Sequence, residues 1–420
     1  MSELTQITAR PYRLHNQIQN YAWGTRDNEA FIPHLLQFDP EPGVPYAELW
    51  IGTHPKAPSQ VELPDGSKMS LHDWIAQEPR TALGKAVNAR FGGLPFLFKV
   101  LSAGQSLSIQ AHPTKTQAET LHEQDPAHYP DDNHKPEIAI ALDHLTALMG
   151  FKPFDQLAGT LSRYPEIADF VGWETVNRIV TATTPSEVIK ATLTRELFAA
   201  LIQHAIEDPV ALGTAVDALS QRLTGGYDHP TEAETLFLEL RERYGSQDVG
   251  LFALFLFNIV HLRAGEGLFT EAGIPHAYLK GNIVECMASS DNVVRVGLTP
   301  KYRDAVTLIK IVDTAPRLPE ILDGNPITLP SGVTAANYPG PAAEFEMARL
   351  VLPAGAGFEV TKGDRPAVAL VIRGSIDLLW EGRQDTYAQG ASAFLPACLD
   401  RYTVHATADA EVMIANVPGV

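Results

Sequence analysis

Three stretches of the chain place polar side chains where chemistry could happen. Residues 106–115 read SLSIQAHPTK. On an extended strand successive side chains alternate faces, so Ser108, Gln110 and His112 share one face and Ile109 and Ala111 the other. A polar face within an apolar strand costs free energy unless its groups find partners, and a metal ion is one such partner. Pro113 stops the strand directly after the histidine. Residues 133–142, NHKPEIAIAL, set His134, Lys135 and Glu137 at the mouth of a continuous apolar strand, which is where the rim of a site would lie. Residues 271–304 carry His276 and Tyr278 on one face and, if the later part is extended, Asp291, Val293 and Arg295 on another.

Each of these residues also has a plainer reading. A single histidine in a β protein is more often a hydrogen-bonded structural residue than a ligand. Lys99, in PFLFKVL, could sit at a strand edge with its ammonium in water. Arg295 could be a structural partner of Asp291. Trp23 and Trp50 are core side chains before they are sugar platforms, with Trp23 a candidate pocket wall. His54, in WIGTHP, is read as structural. The AGEG at 264–267 is not a nucleotide loop, since no strand–glycine–helix unit surrounds it.

The elements that would position these residues follow from texture. Residues 1–153 break into short apolar runs, AELWIG, LPFLFKVL, SLSIQAHP and EIAIAL, between Pro and Gly turns. That is the pattern of strands in a barrel or sandwich. From 154 to 260 the period becomes helical. PSEVIKATLTRELFAALIQHAIED opens on a serine cap with a glutamate soon after it, and three more helical runs follow. The apolar run Leu251–Leu262, broken only by Asn258, is shorter than the ~20 residues a bilayer needs and reads as a buried helix. Strand texture returns from 261, Pro316–Pro330 reads as a linker, and FEMARLVL, AVALVIRGSIDLLW and AEVMIANV suggest a second barrel. The expected fold is mainly β with a helical domain. Residues 1–153 with 261–325 would form one β unit, 154–260 a helical insertion and 326–420 a C-terminal β domain.

Bulk properties remove several function classes. The 420 residues exceed what one core usually fills. A formal charge of −18 leaves no basic excess for nucleic acid. An anionic metabolite would need a local cluster of Lys and Arg against the repelling field. Two cysteines, Cys286 and Cys398, exclude a disulfide framework and a thiolate zinc site. The N-terminus lacks the apolar core of a signal peptide. A cytoplasmic monomer without membrane or nucleic-acid partners is expected.

The chain resembles the type I mannose-6-phosphate isomerases. The motifs YAWG (21–24), ELWIGTHPKAPS (48–59), PFLFKVLSAGQSLSIQAHPTK (95–115), NHKPE (133–137) and the stretch from Gly273 to Asp304 carry the resemblance, in the family's order. It implies two cupin-like jelly-roll barrels with a helical insertion. It implies one zinc ion per chain, held by Gln110, His112, Glu137 and His276, and an essential Arg295. Lys99, Ser108, Lys135, Tyr278, Glu285, Asp291 and Lys301 would line the pocket. The C-terminal barrel offers a single histidine, His405, and is expected to bind no metal.

Two imidazoles, one carboxylate and one amide form a nitrogen/oxygen set that also suits manganese, iron or cobalt. The implied reaction interconverts mannose 6-phosphate and fructose 6-phosphate through a cis-enediol. It needs a base near neutral pKa and a cation facing the oxygens. The base candidates are His134, Lys135, Glu285 and Asp291, with the His134–Lys135 pair and Asp291 preferred. Lys99, Ser108 and Lys301, with Arg303, would hold the sugar-phosphate anion. One rival is an iron cupin oxygenase, against which the lysines and Gln110 count. The other is a sugar-binding cupin without turnover, against which Arg295 and the acid–base set count.

Overall fold

A computed structural model describes residues 6–226 and 229–419. Helix and strand contribute about equally, so the chain is not mainly β. The difference comes from short helices in segments read as strands and turns: Leu71–Gln77, Pro79–Leu83, Lys85–Phe91, Lys115–Gln124 and Ala305–Ile311. At five to ten residues each they are too short to leave a sustained helical period in the sequence.

The sheet that matters for the site runs Gly267–Thr270, Glu137–Phe151, His276–Ala288, Phe96–Ala103, Glu48–Ile51, Gln17–Gln19, with all neighbours antiparallel. Its central strands bury both faces. Ile138, Ile140, Val284 and Cys286 pack with the N- and C-terminal segments, while Ala139, Ala141, Tyr278 and Ile283 belong to a separate inner cluster. This explains the continuous apolar runs, which a half-solvated strand would not show. Two short strands, Ile109–Ala111 and Val294–Gly297, pair with each other, and the first also meets His276.

Among the described residues seven α-helices follow between Phe154 and Ala253, including Glu187–Glu207, capped by Ser186, and Glu232–Tyr244, capped by Thr231 in a capping box. The run Leu251–Leu262 is not one buried helix. It is the end of helix Gly250–Ala253, a 3-10 turn Leu254–Leu256 and then strand Phe257–Arg263, which pairs with Glu137–Phe151. A continuous apolar run looks the same in a buried strand and a buried helix.

A second, nine-stranded sheet contains the C-terminal strands Glu346–Leu352, Ala410–Asn416, Ala367–Arg373 and Ser392–Leu395. It shares a core with the four-stranded sheet of Gly357–Thr361, Arg401–Ala406, Ser375–Trp380 and Arg383–Ala388. The same nine-stranded sheet takes in Tyr12–His15, with Tyr12 opposite Phe394, and beyond it Gln60–Glu62 and Lys68–Ser70. A boundary at 325/326 therefore does not separate the two β units. Strand texture announces a strand but not its partner.

Candidate active site

Strand register assembles the site. Lys99 lies opposite Glu285 on one neighbouring strand and opposite Trp50 on the other. Gln110 lies opposite His276 on one side and Arg295 on the other. Glu137 opens its strand between Thr270 and Met287.

His112, Glu137 and His276 are fully buried, and each offers a ligand atom within 4.8 Å of the others. Among the described residues this is the group of His, Cys, Asp or Glu that could hold a metal ion. Both rings are oriented by the backbone. His112 Nδ1 lies 2.8 Å from the Lys135 carbonyl oxygen and His276 Nδ1 lies 2.9 Å from that of Ile274. Each Nδ1–H donates to its carbonyl, which leaves the Nε2 lone pair free for an ion. His276 Nε2 is 3.1 Å from Glu137 Oε1 and 3.3 Å from the Gln110 amide. A half-turn of that amide presents its oxygen instead. Tyr278 donates to Glu137 Oε1 at 3.0 Å, and the Lys135 ammonium donates to Oε2 at 2.5 Å. Burial alone would raise the Glu137 pKa, but Lys135 and the two imidazoles hold it well below the usual carboxylate range. Two inward imidazole nitrogens, an ionised carboxylate and no thiolate fit a zinc-type ion.

Above this centre opens a cavity of about 1050 Å³. Its wall carries seven Lys and Arg side chains against four Asp and Glu, so it is locally positive in an acidic chain. Lys99, Ser108, Gln110, Lys135, Tyr278, Glu285, Asp291, Arg295, Lys301 and Trp23 all line it.

The Lys99 ammonium is 3.1 Å from Glu285 and 3.6 Å from Glu48. Burial would lower its pKa, but the two carboxylates more than offset this and raise it. Glu285 moves upward, because its burial outweighs Lys99. Glu48 also accepts from the Trp50 indole. Neither Glu48 nor Trp50 was anticipated at the site, although their alternation in ELWI puts both on one face.

One of the expected bases lies off the cavity, and another lies on its wall with both oxygens already engaged. His134 is not on the cavity wall; its Nε2 lies 2.9 Å from Glu344 Oε1. In the extended stretch before the strand, neighbouring side chains point opposite ways, so with Lys135 inside His134 faces out. Asp291 is on the wall, but both oxygens are engaged, Oδ1 by His54 Nε2 at 3.2 Å and Oδ2 by Lys56 at 2.6 Å. His54 Nδ1 accepts from the Lys56 backbone N–H at 3.3 Å, so Nε2 carries the proton. The hydrogen bond from His54, followed by that from Lys56, drives the Asp291 pKa down despite burial. Arg295 does not pair with Asp291: no carboxylate among the described residues lies within salt-bridge distance of it. Its pKa is lowered by burial, as is that of Lys301, which Arg295 lowers further.

The fold and site define a mixed α/β protein with a buried two-histidine, one-carboxylate centre beneath a cationic cavity. The comparisons with known proteins agree. The model of the phosphomannose isomerase type I catalytic domain matches residues 12–154. Mannose-6-phosphate isomerase 2 of Arabidopsis thaliana is 37% identical, over 97% of this chain and 93% of its own. The mannose-6-phosphate isomerase of Homo sapiens is 36% identical over 87% and 88%. The solved structure of the Salmonella typhimurium enzyme, bound to fructose 6-phosphate and zinc, is 30% identical with a TM-score of 0.83, covering 97% of this chain and 100% of that one. The chain belongs to the type I mannose-6-phosphate isomerase family.

Proposed function

We propose that this chain interconverts mannose 6-phosphate and fructose 6-phosphate through a cis-enediol, with one zinc ion held by Gln110, His112, Glu137 and His276. The observation that carries this is the convergence of those four side chains at the base of a locally positive cavity. When bound, zinc supplies a Lewis acid for the substrate oxygens.

The protein's own groups then divide the work. Lys301 and Ser108 take the phosphate. Lys99, held between two carboxylates, donates to sugar hydroxyls rather than binding the dianion. Among the described residues Arg295 has no carboxylate within salt-bridge distance, so its full charge is available to the enediolate oxygens. Proton transfer between C2 and C1 falls to Lys135 and Glu285, which are buried on the wall. A carboxyl raised by burial moves toward the pKa range a base needs, whereas Asp291 moves away from it. Asp291 therefore orients His54 and Lys56. We assign the two sheet systems to cupin-like barrels, of which the first holds the metal, with a helical insertion over 154–256. Two unpaired cysteines, one of them buried, support a reducing, cytoplasmic setting.

The deciding experiment couples fructose 6-phosphate formation from mannose 6-phosphate to metal analysis on the same sample. Turnover with about one zinc per chain supports the reading. Iron with oxygen consumption would replace it with the oxygenase reading.

A further inference from the structure

The ribbon that sets Gln110 against Arg295 is small: three residues, Ile109–Ala111, against four, Val294–Gly297. A two-stranded ribbon is marginal by itself, so its register must be held from outside. The helical segment holds both strands at one end, where Ile109 lies opposite Gly297. Before the first strand, the Tyr244 hydroxyl donates to the Ser106 carbonyl oxygen at 3.2 Å and lies 3.3 Å from Ser106 Oγ. Beside it, Arg243 donates to the Gln105 side chain. After the second strand, Asp248 Oδ1 accepts from the Leu298 backbone N–H at 2.9 Å and from that of Gly250 at 2.8 Å.

The second attachment carries signs of constraint. Leu298 has φ 56°, a left-handed conformation that a leucine adopts only under backbone strain. A Cβ on Gly297 would meet Asp248 Oδ1 at 2.6 Å, so only glycine allows this approach. Asp248 is itself buried, and its burial raises the carboxyl pKa against the backbone N–H groups that stabilise its charge. One oxygen of this buried carboxylate is spent on two backbone donors next to a strained residue, while the other lies 3.9 Å from Arg303; the first oxygen's role is more than packing alone requires.

We propose that the connector Tyr244–Asp248 is the positioning element for Arg295. Asp248 fixes the exit of the Arg295 strand, Tyr244 fixes the entry of the Gln110 strand, and together they set the register between the two. The role of Arg295 rests on the isomerase reading above; the tie itself does not.

Two measurements test this on the zinc-loaded full chain. The first is hydrogen exchange on wild type, Asp248→Ala and Tyr244→Phe. Amides of 109–111 and 294–298 should exchange about tenfold faster in both variants, with the rest of the protein unchanged. Unchanged protection there overturns the proposal. The second is a kinetic cycle with Arg295→Ala. Asp248→Ala should lower kcat about 10²-fold at unchanged zinc content. Asp248→Asn, which keeps the acceptor oxygen, should stay within a few-fold of wild type. In the Arg295→Ala background Asp248→Ala should cost nothing more; the same loss in both backgrounds shows that Asp248 acts elsewhere and sinks the proposal. If Asp248→Ala does not fold, Tyr244→Phe, which removes only a hydroxyl, carries both measurements. A wild type without isomerase activity refutes the proposed function alone, and the exchange arm still decides the tie.

Discussion

Arg295 and Gln110 are direct partners across two antiparallel strands, and Gln110 is also the partner of His276. One strand position therefore joins the proposed oxyanion cation to the metal centre, and the distance between them is a property of sheet register.

Removal of the ion should be complete in its effect. Chelation with EDTA is expected to abolish isomerase activity, and added zinc to restore it. His276→Ala should lower bound zinc per chain, measured by elemental analysis, because it removes an Nε2 whose ring is already oriented through Ile274. Full activity in metal-free protein would reject the ligand set.

Arg295→Ala should reduce kcat about 10²–10³-fold, the usual cost of removing one donor from a developing oxyanion. Zinc content and thermal stability should stay close to wild type, since no carboxylate among the described residues is left unpaired. A wild-type rate in the coupled assay would remove Arg295 from the chemistry.

Lys99→Met should be costly to stability as well as to substrate binding. It strands two buried carboxylates, Glu48 and Glu285, and breaking a buried pair typically costs about 3–5 kcal/mol. Denaturant unfolding should show this loss, and adding Glu285→Gln should recover part of it. A single variant as stable as wild type would contradict the buried triad.

Asp291 gives a pH signature. Its folded pKa lies below the unfolded carboxylate value of about 3.9. Its stabilisation is therefore fully present above the unfolded value and lost as pH falls toward the folded one. The stability advantage of wild type over Asp291→Asn should be flat from about pH 5 to 7 and shrink below about pH 4. An advantage that is as large below about pH 4 as at about pH 7 would mean that His54 and Lys56 do not hold the carboxylate.

Parts of this site were legible in the sequence because strand alternation is local. It put Gln110 with His112, and His276 with Tyr278, on the faces where the structure has them. The same rule, applied one residue further, would have sent His134 away from Lys135. Glu48 was readable from ELWI but was hidden behind the apolar residues around it. Tyr244 and Asp248 were not readable: they act on a ribbon that is distant in sequence, through single hydrogen bonds that leave no period. The Leu251–Leu262 run failed for the opposite reason, because full burial erases the difference between helical and strand spacing.

The pairing of Tyr12 with Phe394 dictates when folding can finish. At about 5–20 residues per second, the ribosome releases the partner of the first strand roughly 20–80 s after that strand. For that interval an unpaired edge is exposed in the nascent chain, a template for aggregation. Truncation of the last strands would make the exposure permanent, so loss of the C-terminus should damage the N-terminal half of the protein as much as its own.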